Sequence, residues 1–324
     1  MNTLSPELKH FLEAYDQYVL AGHREPDGDS IGSCLALASF LARRGKKTIL
    51  LSSGPFKRPE IREYEPLFLS HVPETVSLEK TALVVLDCSN IDRIGDAAEG
   101  LEALPATIID HHATNTADNP VDYVNPASPA TTILVQDIIE SFGEKPSREE
   151  AELLLFGLCT DTGFFRHLDT SFPRTFESTA RLVAAGASPK ETFLHMNGGK
   201  SIESRFLISR ILSRLQRHYD GQMIVSWETL EDTEAFGLEG RDSDSLYQLI
   251  QGIQGVEVIV IIRQETADNC TVGFRSLHRV NVSKVAQSFG GGGHKHASGL
   301  SIPGTIEDLL PRIVKAFAPD FPET

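Results

Sequence analysis

A chain of 324 residues, 40% apolar and 23% charged, has an ordinary globular composition and enough length for two hydrophobic cores. Its 45 acidic side chains against 30 basic ones leave a net charge of −15, which speaks against a protein that grips long duplex nucleic acid through a broad basic surface. The N-terminal stretch carries Glu7 and Lys9, and no later stretch stays apolar for the length of a bilayer, so neither a signal peptide nor a membrane segment is expected and a cytoplasmic setting is.

In chain order, residues 18–23 form a short apolar run that ends in a polar loop. Residues 31–44 carry apolar side chains at helical spacing, with Gly45 as the stop. Strand-like runs follow at 48–51, 81–86 (TALVVL) and 106–109 (ATII), then helical patterns at 130–142 and 148–160. Strands alternating with helices predict an α/β fold: an N-terminal domain with a mainly parallel sheet flanked by helices. Ligands of such sheets gather beyond the carboxyl ends of the strands. Further helices are predicted at 174–185, 189–195 and 202–217. Strands then recur at 222–227, 256–262 and 270–275, a helix at 282–289, and a loop of four glycines before His294. Gly186, Pro189, Gly198 and Gly199 punctuate the middle of the chain. The expected domains are 1–190, a helical linker over 191–218, and a smaller α/β domain over 219–324, with the active site in the cleft between the two domains. Cys34, Cys88, Cys159 and Cys270 are scattered without a Cys-x-x-Cys pair and read as reduced thiols.

Four loops bearing acids or histidines each follow an apolar run. They are Gly22-His23-Arg24-Glu25-Pro26-Asp27-Gly28-Asp29-Ser30, Leu86-Asp87-Cys88, Ile109-Asp110-His111-His112 and Cys159-Thr160-Asp161-Thr162-Gly163. Each alone has a plainer reading. Asp27 to Ser30 fits a turn and a helix N-cap, Asp87 a turn, Asp161 a helix end, and His111-His112 an exposed pair. Together, carboxylates converging at strand ends repel one another unless cations neutralise them. Oxygen and imidazole donors without thiolate favour Mn²⁺ or Mg²⁺ over zinc.

GHREPDGDSIGS, VVLDCSN, IIDHH and CTDTGFF resemble, in order, the four signature motifs of the DHH phosphoesterase family. The resemblance implies two Mn²⁺ ions, with Mg²⁺ or Co²⁺ as substitutes. His23, Asp27 and Asp87 would hold one ion; Asp29, Asp87, His111 and Asp161 would hold the other, with Asp87 bridging. It further implies that Asp110 orients His111 and that His112 faces the substrate phosphate or attacking water, so that His112, Asp110 and Asp87 form the catalytic set.

Between residues 269 and 306 there is no Asp or Glu, whereas Arg275, Arg279, Lys284, Lys295, His278, His294 and His296 all fall there. Such a reversal of charge suits an anionic ligand. Four successive glycines let a backbone approach a phosphate, although a glycine run also serves as a mobile linker. GGGGHKHASG with GFRS upstream resembles the DHH-associated C-terminal domain, with Ser298 where many relatives have alanine. That likeness implies substrate binding by Arg275, Ser276, Gly291, Gly292, Gly293 and His294, and a place in the oligoribonuclease and pAp-phosphatase branch. The expected substrates are oligoribonucleotides of two to five nucleotides and 3′-phosphoadenosine 5′-phosphate. Cyclic or linear dinucleotides form the alternative, and a lapsed nucleotide sensor a second one. A homodimer is plausible by the same likeness. Phe164, Phe165 and Arg166 fit either a base pocket or core packing, and Arg210, Arg214 and Arg217 read as one solvated helix face.

Overall fold

The computed structural model describes residues 4–74, 77–115 and 119–322. The first three residues of the N-terminal stretch discussed above lie outside them. The chain divides into two compact units, Met1–Gly198 and Gly199–Thr324.

The first unit runs α1 (Pro6–Ala14), β1 (Gln17–Ala21), α2 (Gly28–Arg43), β2 (Lys47–Leu51), β3 (Thr81–Leu86), β4 (Ala106–Asp110), β5 (Tyr123–Val124), α3 (Thr131–Ser141), α4 (Arg148–Asp161), α5 (Pro173–Ala184) and α6 (Pro189–Asn197). Its sheet has the order β2-β1-β3-β4-β5 with every neighbouring pair parallel, as the alternating pattern predicts. The central strands β1 and β3 are buried on both faces, which is why they read as unbroken apolar runs. Tyr18, Leu20, Val84 and Ile109 pack against Leu37, Leu41, Leu134 and Leu154 of the helices. Val19, Ala21, Leu83 and Val85 face the opposite core, which is closed by Ile94, Ala97 and Leu101. That second face is covered, among the described residues, by the 3-10 turns Ile91–Ile94 and Asp96–Ala98 and not by α-helices. Each fully buried Leu or Val contributes about 1.5–3 kcal/mol.

α2 and α4 approach closely because small residues line their contact. A Cβ on Gly28 would lie 2.5 Å from the Thr160 side chain, and one on Gly32 would lie 2.7 Å from the Leu153 carbonyl. One on Gly157 would lie 2.5 Å from Thr132 and 3.0 Å from the Asp29 Cα. This contact draws Asp29 and Asp161, on two different helices, toward one place.

The second unit runs α7 (Ile202–Ser213), β6 (Gln216–His218), β7 (Met223–Glu228), α8 (Leu230–Phe236), α9 (Ser243–Gln251), β8 (Val258–Thr266), β9 (Asn269–Ser276), α10 (Val282–Ser288), β10 (Gly292–His294), β11 (Ala297–Pro303) and α11 (Ile306–Ala316). The sheet order is β10-β11-β9-β8-β7-β6, antiparallel except for β7 with β8. The helix expected over 202–217 ends at Ser213, because Gln216 to His218 pair with β7. Arg217 therefore lies on a strand. Arg214 binds the buried Asp232 carboxylate and donates to the Trp227 carbonyl at 3.2 Å. Arg210 and Arg217 are exposed, as a solvated face requires, but Arg214 leaves that face for an inward ion pair, since α8 supplies a carboxylate that periodicity could not reveal. The glycine run, read as a loop, also contains structure: Gly292 and Gly293 pair with Gly299 and Ser298 in a hairpin that turns at Lys295 and His296.

Candidate metal centre

The site lies at the carboxyl edge of the parallel sheet. β1 leads into the loop bearing His23 and Asp27, β3 ends just before Asp87, and β4 ends on Asp110 with His111 and His112 beyond it. Asp87 has a φ of +55°, a left-handed conformation that aspartate tolerates better than most residues. Asp161 is the last residue of α4, where the negative end of the helix adds to its own charge.

Three overlapping groups of possible ligand atoms come together: His23, Asp27 and Asp87; Asp29, His111 and Asp161; and Asp87, His111 and His112. Within each group the ligand atoms lie within 4.8 Å of one another. Asp87 joins them through separate oxygens. Its Oδ2 lies 3.6 Å from His23 Nε2 and its Oδ1 lies 3.5 Å from His111 Nε2. Asp27 Oδ1 is 3.8 Å from His23 Nε2, and Asp161 Oδ2 is 3.2 Å from His111 Nε2. Both histidines turn Nδ1 away, His23 to the Arg24 carbonyl at 2.8 Å and His111 to the Ser128 carbonyl at 3.2 Å. Each carbonyl accepts the Nδ1 proton and so leaves Nε2 free to bind a cation.

Asp27 fills the plain and the functional reading together. Its Oδ1 accepts from the Asp29 and Ser30 N–H groups as the N-cap of α2 while facing His23. Asp29 is fully buried, and its carboxylate accepts from the Thr131 N–H at 2.6 Å and the Thr132 N–H at 2.9 Å. It thus caps α3, whose own N-cap, Ala130, has no side-chain oxygen. Thr131 also donates its hydroxyl to Asp87 at 3.1 Å.

The expected partnership of Asp110 with His111 is corrected. Asp110 Oδ1 instead receives His112 Nδ1 at 2.7 Å, and Asp110 Oδ2 receives Asn115 Nδ2 at 2.7 Å. Asp110 is buried at the end of β4, and the chain turn beyond it brings His112, two residues on, back onto the carboxylate.

The donor set fits cations. Burial, then the Asp87 and Asp161 carboxylates, push Asp29 well above the usual carboxylate range. Burial also raises Asp161, with Asp27 and Asp87 adding to it. Burial opposes charge on His23, but Asp27 and Asp87 outweigh it and lift the imidazole to about 10. Against the same opposition, Asp161, Asp29 and Asp87 lift His111 to about 10. A pocket that draws protons this strongly onto imidazoles is short of positive charge, which divalent ions supply. The hydrogen bond that His112 donates to Asp110 raises His112 as well.

The other sequence-predicted residues lie in the second unit or beside Asp161. Arg275 stacks on Tyr247, 4.6 Å from the ring centroid. Ser276 is buried, and its hydroxyl donates to the Val280 carbonyl at 2.7 Å and contacts His296 Nδ1 at 3.0 Å. A Cβ on Gly291 would collide with Leu300 and the Gly299 carbonyl. Gly293 has a φ of +133° and a Cβ there would lie 2.6 Å from the Ser298 Cα; both glycines are therefore required by the hairpin itself. Gly292 is open and His294 exposed. Arg279, counted in the basic stretch, is committed to the Asp320 carbonyl at 2.6 Å and Gln222 Oε1 at 2.9 Å. Phe164 and Phe165 have φ values of +57° and +70° and pack against the first core and against Phe193 and Phe176. Arg166 ties this turn by donating to the Gly163 carbonyl at 2.7 Å. Sequence reasoning missed Ser128, Thr131 and Thr132; the one available signal was a Ser-Pro-Ala-Thr-Thr helix start, whose free N–H groups suit a carboxylate.

Carboxylates and imidazoles gathered at the carboxyl edge of a parallel sheet, with a glycine hairpin in a second unit, define a phosphoester hydrolase with a centre able to hold metal ions. The chain belongs to the DHH family: residues 17–158 match the DHH family, N-terminal domain, and residues 220–319 match the DHHA1 domain. It is 31% identical over 302 residues to the bifunctional oligoribonuclease and PAP phosphatase NrnA of Thermus thermophilus, covering 92% of this chain and 88% of that one. It is 27% identical over 310 residues to the cyclic-di-AMP phosphodiesterase PdeA of Listeria monocytogenes, covering 90% of this chain but 45% of that one. A crystal structure of an exopolyphosphatase-related protein from Bacteroides fragilis shares the fold, with a TM-score of 0.79, 23% identity and 98% of each chain covered. Among the described residues no helix is long and apolar enough to cross a membrane, and all four cysteines are buried and free.

Proposed function

We propose that this protein hydrolyses oligoribonucleotides of two to five nucleotides to mononucleotides and removes the 3′-phosphate of 3′-phosphoadenosine 5′-phosphate, using two Mn²⁺ ions in a cytoplasmic setting. The observation that carries the reading is Asp87, whose two oxygens face two separate groups of ligand atoms. The likeness to NrnA supports the substrate class.

His23, Asp27 and Asp87 would hold one ion, and Asp29, Asp87, His111 and Asp161 the other. Bound ions would activate water and neutralise charge developing on the phosphoryl oxygens. The chain's own groups do the rest. Ser128 and Arg24 fix the ligand histidines through their carbonyls. His112, its Nδ1 committed to Asp110, keeps Nε2 for the phosphoester, where it holds a proton for the leaving oxygen. Arg275, Gly292 and His294 of the second unit recognise the nucleotide phosphate, while Ser276, Gly291 and Gly293 shape the hairpin that carries them.

A second reading, hydrolysis of cyclic or linear dinucleotides, draws on the likeness to PdeA. A Mn²⁺-supplemented panel decides between them: pAp, di- to pentaribonucleotides, cyclic and linear diadenylate, and pyrophosphate, with Asp87→Ala as the control. Turnover of pAp and short oligoribonucleotides is expected; turnover of cyclic diadenylate alone moves the assignment to the second reading. Metal binding without any turnover would favour the nucleotide sensor. Sedimentation of the same preparation tests the homodimer that the family likeness implies.

A further inference from the structure

In the second unit, Arg275, Gly273 and Thr271 of β9 stand opposite Ile259, Ile261 and Arg263 of β8 and opposite Ala297, Gly299 and Ser301 of β11. Directly paired residues point to the same side, so these side chains share one face of the sheet. α9 packs on that face and delivers Tyr247 to it. Tyr247 is 5% exposed. Its hydroxyl occupies the space a side chain at position 273 would need, which explains the glycine there. That hydroxyl is buried, with the Arg263 and Arg275 guanidinium groups as the charged neighbours beside it.

The ring lies under Arg275, with the guanidinium carbon 4.6 Å from its centroid. Four other arginines of this unit face carboxylates, Arg205 toward Asp242, Arg214 toward Asp232, and Arg241 and Arg263 toward Glu228, while Arg279, which also lies over a ring, is committed to the Asp320 carbonyl and Gln222. Arg275 forms no ion pair among the described residues; its Nη1 donates to the neighbouring Phe274 carbonyl at 3.0 Å. In a protein of net charge −15, a guanidinium laid on an aromatic face without a carboxylate partner keeps its fork of donors for an outside anion.

We propose that Tyr247 is a positioning residue that fixes the plane of the Arg275 guanidinium for a nucleotide phosphate. This rests on Arg275 being a substrate-binding residue, as given under Proposed function. The ring restricts the guanidinium to one orientation before the ligand arrives, so less freedom is lost on binding. The backbone fixes where Arg275 begins; Tyr247 fixes how its charged end is presented.

The test is a double-mutant cycle on the full chain with Mn²⁺, read by calorimetric binding of AMP and by KM and kcat on pAp. Tyr247→Phe is expected to stay within about twofold of the parent. Tyr247→Leu is expected to weaken AMP binding and raise KM about three- to tenfold, with kcat within about twofold. In an Arg275→Lys background, Tyr247→Leu should add nothing. Equal behaviour of the Phe and Leu variants, or effects that multiply in the double variant, overturns the proposal, as does an Arg275→Lys variant with unchanged AMP affinity. If Tyr247→Leu lowers the unfolding temperature sharply, Tyr247→Met replaces it under the same criteria. If the parent binds AMP but hydrolyses nothing in the panel, the activity reading fails while the AMP cycle still decides the role of Tyr247.

Discussion

Asp87 and Asp110 sit at the ends of two adjacent strands and do different work, and substitution separates them. Asp87→Ala removes an oxygen from both groups of ligand atoms, so calorimetric Mn²⁺ titration should show loss of both high-affinity ions and turnover should fall at least ~10³-fold. Asp110→Asn should leave Mn²⁺ stoichiometry unchanged, because Asp110 touches His112 and Asn115 whereas His111, proposed as the ligand, rests on the Ser128 carbonyl. Its kcat should fall ~10²–10⁴-fold, the range for a misoriented proton donor, and His112→Ala should behave alike. A lost ion in Asp110→Asn would return Asp110 to His111. The residue types were legible in the sequence because aspartate and histidine ahead of glycine-rich or helical starts have few other uses in such numbers. Their partners were not, since a hydrogen bond of 2.7 Å or 3.2 Å depends on how a turn folds back.

Helix contacts hold the ligands in register. Gly157→Ala would press a methyl group onto Thr132 and the Asp29 backbone, so overpacking of about 1–3 kcal/mol is expected in urea denaturation, together with weaker Mn²⁺ binding. Gly45→Ala meets nothing within 4 Å but sits at φ +76°, and should destabilise through backbone strain alone while leaving metal affinity intact. In the second unit, burial by itself would raise Asp232, but Arg214 and the Thr229 N–H outweigh it and hold the carboxylate below its usual range. A depressed folded-state pKa gives stability that is present above the unfolded value near 4 and lost as pH falls through the lower folded value. Denaturant melts from pH 6 to pH 3 should therefore show a shallower acid loss in Arg214→Met than in the parent, on top of a lower stability at pH 6. Parallel curves would deny the pair this role. The strands β3 and β4 were readable nearly residue for residue, because β3 is buried on both faces and both runs are unbroken. The end of α7 was not, because pairing of Gln216 to His218 with β7 competes with a helical pattern that continues in sequence.

Over the whole molecule, the charge of −15 sets what can approach. Duplex DNA of long length should show no binding by fluorescence anisotropy at physiological salt, while short ribonucleotides bind in a Mn²⁺-dependent way; tight duplex binding would contradict the reading. Mn²⁺ should also stabilise the fold, by about 2.7 kcal/mol at a hundredfold excess over its Kd, and a chelator should reverse the shift. By itself the sequence determined the alternating α/β pattern, the burial of the central strands, the four loops bearing acids and histidines and the reversal of charge around the glycine run. Those are properties of residue type and short spacing, which local periodicity and charge record. Only the tertiary structure decided that Asp110 serves His112, that Ser128 and Thr131 hold the centre through backbone and hydroxyl groups, that Arg214 turns inward, and that Tyr247 lies under Arg275. Each of these is a contact between elements, fixed by strand register and helix packing, and neither is written in any one segment of the chain.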